Sequence, residues 1–145
     1  MVSACELCRD AGGIVVARGA RWRVVRVADD AFPAFYRVIW DAHAAEFTDL
    51  APAERAECMD VVACVERALR NALAPTKINL ASLGNMVPHL HWHVIARFEW
   101  DSHFPGPIWG EARRTVAEPS PTARLAVELT ELDHAIAQAL ANRGG

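Results

Sequence analysis

Three histidines, His89, His91 and His93, occupy alternate positions in one short stretch of the chain, with apolar residues between them. Side chains of an extended strand alternate between two faces, so the three imidazoles are expected to share one face. In a helix the same side chains would diverge by about 100° each, so the pattern predicts a strand. The opposite face is apolar and suited to a core, since it carries Leu90, Trp92 and Val94.

The imidazole side chain titrates near neutral pH, binds metals and attacks phosphorus or carbonyl centres. Two kinds of chemistry are therefore open at this strand. Two or three of the histidines could bind a metal ion, or they could serve as a nucleophile and as acid–base groups.

Two of the four cysteines, Cys5 and Cys8, are separated by only two residues. This spacing is typical of zinc-binding knuckles, although two exposed thiols near a chain terminus would show the same pattern. Cys58 and Cys64 lie in a helical pattern and are expected to be buried thiols. In a reducing compartment none of these cysteines should form a structural disulfide.

The rest of the pattern predicts the elements that must position these groups. A helix is expected from Pro52 to about Ala74, because apolar residues recur at spacings of three and four. A last helix is expected to begin at Ser120, with Pro121 at its first position. Five strands are expected, at residues 14–18, 21–27, 35–40 and 77–83 and at the histidine stretch.

This order of elements predicts an α+β fold, with an antiparallel sheet of about five strands, a long central helix and a C-terminal helix. One domain is expected over residues 1–145, with its core at about 5–110 and the last helix at about 120–142. In the second strand Arg21 and Arg23 alternate with apolar residues, which predicts that one face is exposed. The Pro-rich residues 98–118 are expected to form an ordered loop or to dock on another subunit.

Composition and charge limit the partners. The net charge is −3 and no long run of Lys or Arg occurs, so nucleic acid is not expected as the main partner, whereas a nucleotide-sized ligand is compatible. No apolar stretch reaches 18 residues, so no transmembrane helix and no membrane partner are expected. Residues 1–6 lack the basic start and apolar run of a signal peptide, which predicts a cytoplasmic location.

The run from His89 to Ile95, His-Leu-His-Trp-His-Val-Ile, resembles the signature of the histidine triad (HIT) superfamily of nucleotide hydrolases and transferases. The C-x2-C pair, the hairpin, the strand ending near His43 and the Gly84-Asn85 turn also follow that superfamily's order. The resemblance covers about residues 5–97. The Pro-rich run from Phe104 to Gly110 resembles that of a bacterial branch of HIT family proteins.

The resemblance implies that His91 attacks the α-phosphate of a nucleoside phosphoramidate or dinucleoside polyphosphate and forms a covalent nucleotidyl-histidine. It implies that a main-chain carbonyl accepts the proton of the other ring nitrogen, and that His89 and His93 stabilise the phosphate oxygens or deliver a proton. Asn79 matches a polar position that binds phosphate or ribose, and is equally well explained as a strand-edge amide bonded to its neighbours. The implied partner is a purine nucleotide or nucleotide conjugate, and a homodimer is expected.

The resemblance also implies a structural metal. In part of the superfamily a C-x2-C pair, a histidine after the third strand and the first triad histidine bind zinc. Those positions are Cys5, Cys8, His43 and His89 in this chain. Two cysteines and two histidines complete a tetrahedral Zn²⁺ site, and His91 and His93 then remain for the chemistry.

Several positions differ from the superfamily's usual pattern. Phe35 stands where a further histidine is common, and Met86 where a hydroxyl residue assists the leaving group. The acidic residue that binds the ribose falls on Val27, so Asp29, two positions later, is the candidate, together with Asn85 in the turn before the triad. These differences predict slow turnover or a substrate other than a standard adenosine dinucleotide.

The sequence therefore predicts a HIT-type nucleotidyl hydrolase or transferase with His91 as its nucleophile. Two alternatives remain open. The first is a nucleotide- or zinc-binding interaction module with little turnover. The second is a metalloenzyme in which His89, His91 and His93 bind one catalytic metal.

Overall fold

The computed structural model describes residues 4–143 of the chain. Residues 1–3 and the closing Gly144-Gly145 lie outside this range, so the expectation about a signal peptide falls partly on undescribed residues. Among the residues described, no helix combines the length and the apolar character needed to cross a bilayer. The cytoplasmic location stays a prediction.

One antiparallel sheet of five strands organises the chain, in the spatial order β1-β2-β3-β5-β4. The predicted α+β class is confirmed, and the first and third strands have the predicted bounds. The second, fourth and fifth strands are shorter or later than expected. The strands are β1 Ile14–Arg18, β2 Trp22–Arg26, β3 Phe35–Trp40, β4 Lys77–Ala81 and β5 His91–Arg97.

The helices are α1 Glu6–Arg9, α2 Pro52–Leu73 and α3 Leu129–Asn142, with short 3-10 helices at Phe47–Asp49 and Thr122–Arg124. The long helix α2 begins at Pro52 as predicted and ends at Leu73, and the next residue, Ala74, adopts the left-handed conformation with a φ of 45°. The last helix was predicted to begin at Ser120, and this is wrong. Ser120 and Pro121 instead start a single 3-10 turn, and Leu125 then becomes extended and packs against the core.

One face of the sheet packs against α2 and α3 and forms the main core. The buried contacts alternate along the strands, as the period of two requires. From the sheet this core receives Val24, Tyr36, Val38 and Val94; from α2, Val61, Val65 and Leu69; and from α3, Leu132, Ile136 and Leu140.

The other face carries His91 and His93, and two segments partly cover it. On one side the N-terminal segment packs Leu7 against Val25 and Ile39. On the other side an apolar cluster packs Phe32, Phe35 and Ile95 with Ile108 of the loop 98–118. The two histidines therefore lie in a strip between these covers, and the β3–β5 register places them opposite Ile39 and Arg37.

Candidate active site and metal centre

The three histidines do not share one surface. Strand β5 begins at His91, and His89 lies in a bend before it. His91 and His93 do point from the same face, with ring centroids 4.9 Å apart. The backbone N–H of Leu90 donates to the carbonyl of Ala44 at 2.7 Å, which holds the chain before β5 against the segment after β3. The expectation of three convergent imidazoles is therefore corrected to two.

The ring of His89 is completely buried and points toward the N-terminal segment. Its Nε2 lies 2.6 Å from the carbonyl oxygen of Trp40, which can only accept, so Nε2 carries the proton. The lone pair of Nδ1 then faces the thiols of Cys5 and Cys8, at 3.3 and 3.5 Å. A second hydrogen bond that fixes the tautomer in this way is typical of histidines that bind metals.

The four predicted metal ligands meet at one point. The ligand atoms of Cys5, Cys8, His43 and His89 all lie within 4.8 Å of one another. The Cys8 thiol lies 3.4 Å from Nδ1 of His43. Zinc–sulfur and zinc–nitrogen bonds of ordinary length, at tetrahedral angles, place sulfur and nitrogen about 3.6 Å apart. The donor types and their separations therefore form a possible metal site.

Arg23 of β2 holds the segment that carries the two cysteines. Its guanidinium donates to the carbonyl oxygens of Leu7, Asp10 and Ala11 at 2.7, 3.0 and 2.9 Å. It also forms an ion pair with Asp41, with a nitrogen–oxygen distance of 2.7 Å. Because only 5% of Arg23 is exposed, the prediction of a solvent-facing side chain at this position is wrong.

His91 is held in a single tautomer by its neighbour in the triad. Its Nδ1 lies 2.6 Å from the carbonyl oxygen of His89 and must donate to it. Within residues 4–143 no group forms a hydrogen bond with Nε2 of His91. This nitrogen is not fully buried, and it contributes to the 7% of the residue's surface that is exposed. Burial lowers the pKa of His91. The ring is therefore neutral at pH 7, with an accessible lone pair on Nε2.

His93 lies among aromatic rings. Its ring centroid lies 5.4 Å from that of Phe35 and 5.1 Å from that of Trp109 in the loop 98–118. Burial lowers the pKa of His93 to about 4, and the positive charge of Arg37 and the repulsion between two protonated rings at His91 and His93 act in the same direction. Its Nδ1 is buried with no hydrogen-bond partner in the described chain. Neutral His93 is thus best placed with its proton on Nε2, where it can donate to a ligand.

Asn79, a predicted substrate-binding residue, lies on β4 opposite Ile95 and on the same face as the histidines. Its Oδ1 accepts a hydrogen bond from Arg97 at 2.8 Å. Arg97 also binds both oxygens of Asp101 and the carbonyl of Gly106. This hydrogen bond satisfies the oxygen of the Asn79 amide within the protein. It supports the interpretation of Asn79 as a strand-edge amide bonded to its neighbours.

Asp101 anchors the loop that carries Trp109. Burial acts to raise the pKa of this carboxyl, but hydrogen bonds from Arg97 and from backbone N–H groups outweigh burial, and the pKa lies below its ordinary value. Only 1% of Arg97 and 2% of Asp101 are exposed. The predicted ordered loop is thus fixed beside His93 by a buried ion pair.

The other predicted substrate-binding residues lie in turns. Asp29 Oδ1 accepts from the backbone N–H groups of Ala31 and Phe32 at 2.9 and 3.1 Å and so closes its own turn. Asn85 is exposed in the bend after Gly84. In the part of the chain that the structure describes, no hydrogen bond joins Asp29 or Asn85 to a triad histidine. Both assignments stay predictions.

The sequence interpretation missed Arg37, which lies directly opposite His93 in the β3–β5 pair. A signal was present, because Arg37 is the single charged residue in an otherwise apolar and aromatic strand, Phe35-Tyr36-Arg37-Val38-Ile39-Trp40. The sequence interpretation also missed Arg97 and Asp101, because no local pattern in the sequence shows that these two side chains are buried together. The site therefore combines an accessible imidazole lone pair, a second imidazole donor and a nearby cation.

Comparison with known proteins agrees with the resemblance to the HIT superfamily that the sequence shows. A family model described as the HIT domain matches residues 13–100. No curated protein shows significant similarity to the chain.

Solved structures of similar proteins extend over almost the whole chain. A histidine triad protein from Bradyrhizobium japonicum is 31% identical, with a TM-score of 0.68, over 92% of this chain and 91% of that chain. A histidine triad protein from Sinorhizobium meliloti is 25% identical, with a TM-score of 0.69, over 99% of both chains. A Zn-bound histidine triad family protein from Mycobacterium smegmatis is 20% identical, with a TM-score of 0.63, over 98% of this chain and 96% of that chain.

Proposed function

The chain belongs to the HIT domain family, and from this membership we propose that it is a nucleotidyl hydrolase or transferase whose nucleophile is His91. Its substrate is a nucleoside phosphoramidate or a dinucleoside polyphosphate, with a purine nucleotide as the part retained on the enzyme. The observation that carries the proposal is the 2.6 Å hydrogen bond from Nδ1 of His91 to the carbonyl of His89. This bond leaves the lone pair on Nε2 and compensates the positive charge that develops on attack.

The reaction proceeds in two displacements. The Nε2 lone pair of His91 forms a bond to the α-phosphorus, while the bond from phosphorus to the leaving oxygen or nitrogen breaks. The leaving group takes the electron pair of that bond and a proton from solvent. Water then attacks the same phosphorus and releases a proton to solvent. The phosphorus–nitrogen bond breaks, its electron pair returns to Nε2, and a nucleoside monophosphate leaves with His91 regenerated.

His93 is proposed to bind a phosphate oxygen through Nε2–H. Because the pKa of His93 lies near 4, the ring is neutral at pH 7 and is suited to hydrogen bonding more than to proton delivery. A fixed donor beside the phosphorus stabilises the charge on the phosphate oxygens in the transition state. His89, in contrast, directs its ring at the cysteines, so its contribution to catalysis is through its carbonyl.

The metal proposed at the Cys5–Cys8–His43–His89 site is Zn²⁺. The donor set supports this, because two thiolates and two imidazoles in a closed tetrahedral site are typical of structural zinc. The tautomer of His89 also fits, since its free Nδ1 faces the thiols. A zinc ion bound there would fix the N-terminal segment to the loop before β5.

A metalloenzyme with all three triad histidines on one metal is less well supported. The Nε2 of His89 donates to the Trp40 carbonyl, so only its Nδ1 could bind a metal, and that atom faces the cysteines. The Nδ1 of His91 donates to the His89 carbonyl, so only its Nε2 could bind a metal. A binding module with little turnover retains the same geometry and differs only in rate. Measurements of turnover distinguish such a binding module from the proposed enzyme.

A homodimer is proposed from the exposed apolar residues beside β4, an edge strand of the sheet. Leu80 and Trp109 line one groove along this strand and are 45% and 50% exposed. Leu83 and Met86, in the turn that follows, are 53% and 94% exposed. Burying such a patch against a second copy removes apolar surface from water. Light scattering at micromolar concentration tests the assembly.

The decisive experiment is a search for the covalent intermediate. The protein is mixed with an adenosine phosphoramidate or a diadenosine polyphosphate, quenched within the first turnover and digested for mass spectrometry. We expect one adenylyl group on the peptide that contains His91, and no adduct in the His91→Gln variant. His134→Gln, which removes an exposed imidazole on α3, is the matched control and should react as the wild type does. Full turnover by His91→Gln would refute the proposal.

A further inference from the structure

Arg37 is a partly buried cation for which the described chain supplies no carboxylate. Its Nη1 donates to the carbonyl of Gly12 at 3.0 Å, and its guanidinium carbon lies 5.9 Å from the centroid of the Phe35 ring. Its Nε is buried and has no hydrogen-bond partner within residues 4–143. The charge of Glu6, exposed on α1, acts on Arg37, but the two residues form no ion pair. An unpaired, partly desolvated cation is costly, so some other group is expected to compensate it.

Other arginines that lie against the sheet have their positive charges neutralised by a carboxylate. Each of the three other arginines that are buried or nearly so against the sheet forms an ion pair with an aspartate, at 2.7 to 3.0 Å between nitrogen and oxygen. The pairs are Arg23 with Asp41, Arg26 with Asp133, and Arg97 with Asp101. Arg37 is the exception among these sheet arginines, and it is the one that lies beside the proposed nucleophile.

The position of Arg37 fixes what it can reach. It lies directly opposite His93 in the β3–β5 pair, and directly paired residues of an antiparallel sheet have β-carbons about 5 Å apart. Its positive charge acts on both His91 and His93. On the far side of His93 lie Trp109 and, along β4, Ala81. A phosphate held by the two histidines therefore has Arg37 on its β3 side.

We propose that Arg37 binds a second negatively charged phosphate of the substrate, adjacent to the phosphorus that His91 attacks. This inference rests on the proposed function and narrows its substrate class. The guanidinium fork suits phosphate oxygens, and such charge-assisted bonds are stronger than neutral ones. A phosphoanhydride-linked nucleotide provides the second phosphate, whereas a phosphoramidate with an uncharged leaving amine leaves Arg37 unpaired. The enzyme should therefore prefer phosphoanhydrides.

Equilibrium binding tests the assignment without requiring turnover. The dissociation constants of adenosine diphosphate and adenosine monophosphate are measured by calorimetry for the wild type, Arg37→Gln and Arg70→Gln. Arg70 is exposed on α2, across the sheet from the histidines, and controls for the loss of one positive charge. We expect the wild type and Arg70→Gln to bind the diphosphate about 10- to 100-fold more tightly than the monophosphate, as a charge-assisted contact allows. Arg37→Gln should lose this preference and retain its affinity for the monophosphate.

Three results would overturn the assignment: no preference for the diphosphate in the wild type, a preserved preference in Arg37→Gln, or an equal loss of affinity for both nucleotides. The last would place Arg37 on the α-phosphate instead. Arg37→Lys should give an intermediate preference, because it keeps the charge and loses the fork. Because Arg37→Gln also loses the hydrogen bond to the Gly12 carbonyl, a lower thermal midpoint alone does not decide the role of Arg37. A purely structural role would lower that midpoint and leave the ratio of the two dissociation constants as in the wild type.

Turnover separates this inference from the function on which it rests. With Arg37→Gln, kcat/KM for a diadenosine polyphosphate should fall about 10- to 100-fold, and that for an adenosine phosphoramidate with a neutral amine should change less than about threefold. A protein that forms the His91 adduct but treats both substrates alike contradicts only the role of Arg37. A protein that forms no adduct and binds neither nucleotide contradicts both proposals.

Discussion

The Nδ1–H of His91 donates to the backbone carbonyl of His89 at 2.6 Å, while the ring of His89 lies against the thiols of Cys5 and Cys8. One residue therefore belongs to both parts of the site. Its side chain is a candidate metal ligand, and its main chain sets the tautomer of the proposed nucleophile. A substitution at the cysteines is therefore expected to change the orientation of the His91 ring, although no cysteine contacts that ring.

The first prediction concerns metal content. Elemental analysis of protein purified without chelator should find about one zinc per chain, because the four donors complete a tetrahedral set. Cys5→Ser should lose most of this zinc and unfold at a lower temperature. Cys64→Ser, on α2 and away from the cluster, is the control and should keep its zinc. Stoichiometric zinc in Cys5→Ser would disprove the ligand set.

The second prediction uses the link between the two parts of the site. Cys5→Ser should lower kcat by less than about tenfold and leave KM nearly unchanged, because a shifted His89 carbonyl loosens the orientation of His91 without removing a substrate contact. His91→Gln, in contrast, should abolish turnover. Steady-state kinetics with both variants measures the difference. Complete loss of activity in Cys5→Ser, with full rescue by added metal, would favour a catalytic metal instead.

The third prediction concerns the buried ion pair that holds the loop 98–118. Arg97→Met leaves the carboxylate of Asp101 buried without its partner and should reduce the free energy of unfolding by about 3 to 5 kcal/mol. Arg70→Met is the control, since its pair with Glu66 is exposed and longer, at 3.7 Å, and should cost less than about 1 kcal/mol. Urea denaturation of both variants provides the comparison. Similar losses in the two would show that burial of the pair is unimportant.

Local patterns in the sequence were sufficient for much of the fold. Strands β1 and β3 have the predicted bounds and α2 begins where expected, since turn residues and proline mark these ends. The cluster of Cys5, Cys8, His43 and His89 was predicted because the family resemblance supplied the order of these residues along the chain, and the structure brings them together as a possible metal site. The start of α3 was missed, because Leu125 is drawn out of the helical pattern by its packing on the core.

What could not be predicted depends on contacts between distant parts of the chain. Arg23 alternates with apolar residues as a surface residue does, but the N-terminal segment covers it and supplies three carbonyl acceptors. Arg37 and Arg97 both follow strand patterns that do not show which face is covered. Arg37 lies opposite His93 because β3 pairs with β5 in the sheet, and no local pattern in the sequence identifies β5 as the partner of β3.

The last prediction concerns acid stability. Burial holds the pKa of His93 at about 4 in the folded protein, against about 6.5 for the unfolded chain. Between these two values the unfolded state binds a proton that the folded state does not, so the free energy of unfolding falls as the pH falls from 6.5 toward 4. The loss attributable to His93 reaches at most about 3 kcal/mol and ends once the folded protein also binds the proton.

The variant His93→Phe keeps an aromatic ring among Phe35 and Trp109 and removes the titrating nitrogens. Its free energy of unfolding, measured in urea at intervals from pH 7 to pH 4, should therefore decline less steeply than that of the wild type. His134→Gln removes an exposed imidazole from α3 and controls for the change in net charge. Parallel pH profiles for the wild type and His93→Phe would show that the folded protein does not lower the pKa of His93. The proposed preference of His93 for hydrogen bonding over proton delivery, which depends on that lowered pKa, would then be wrong.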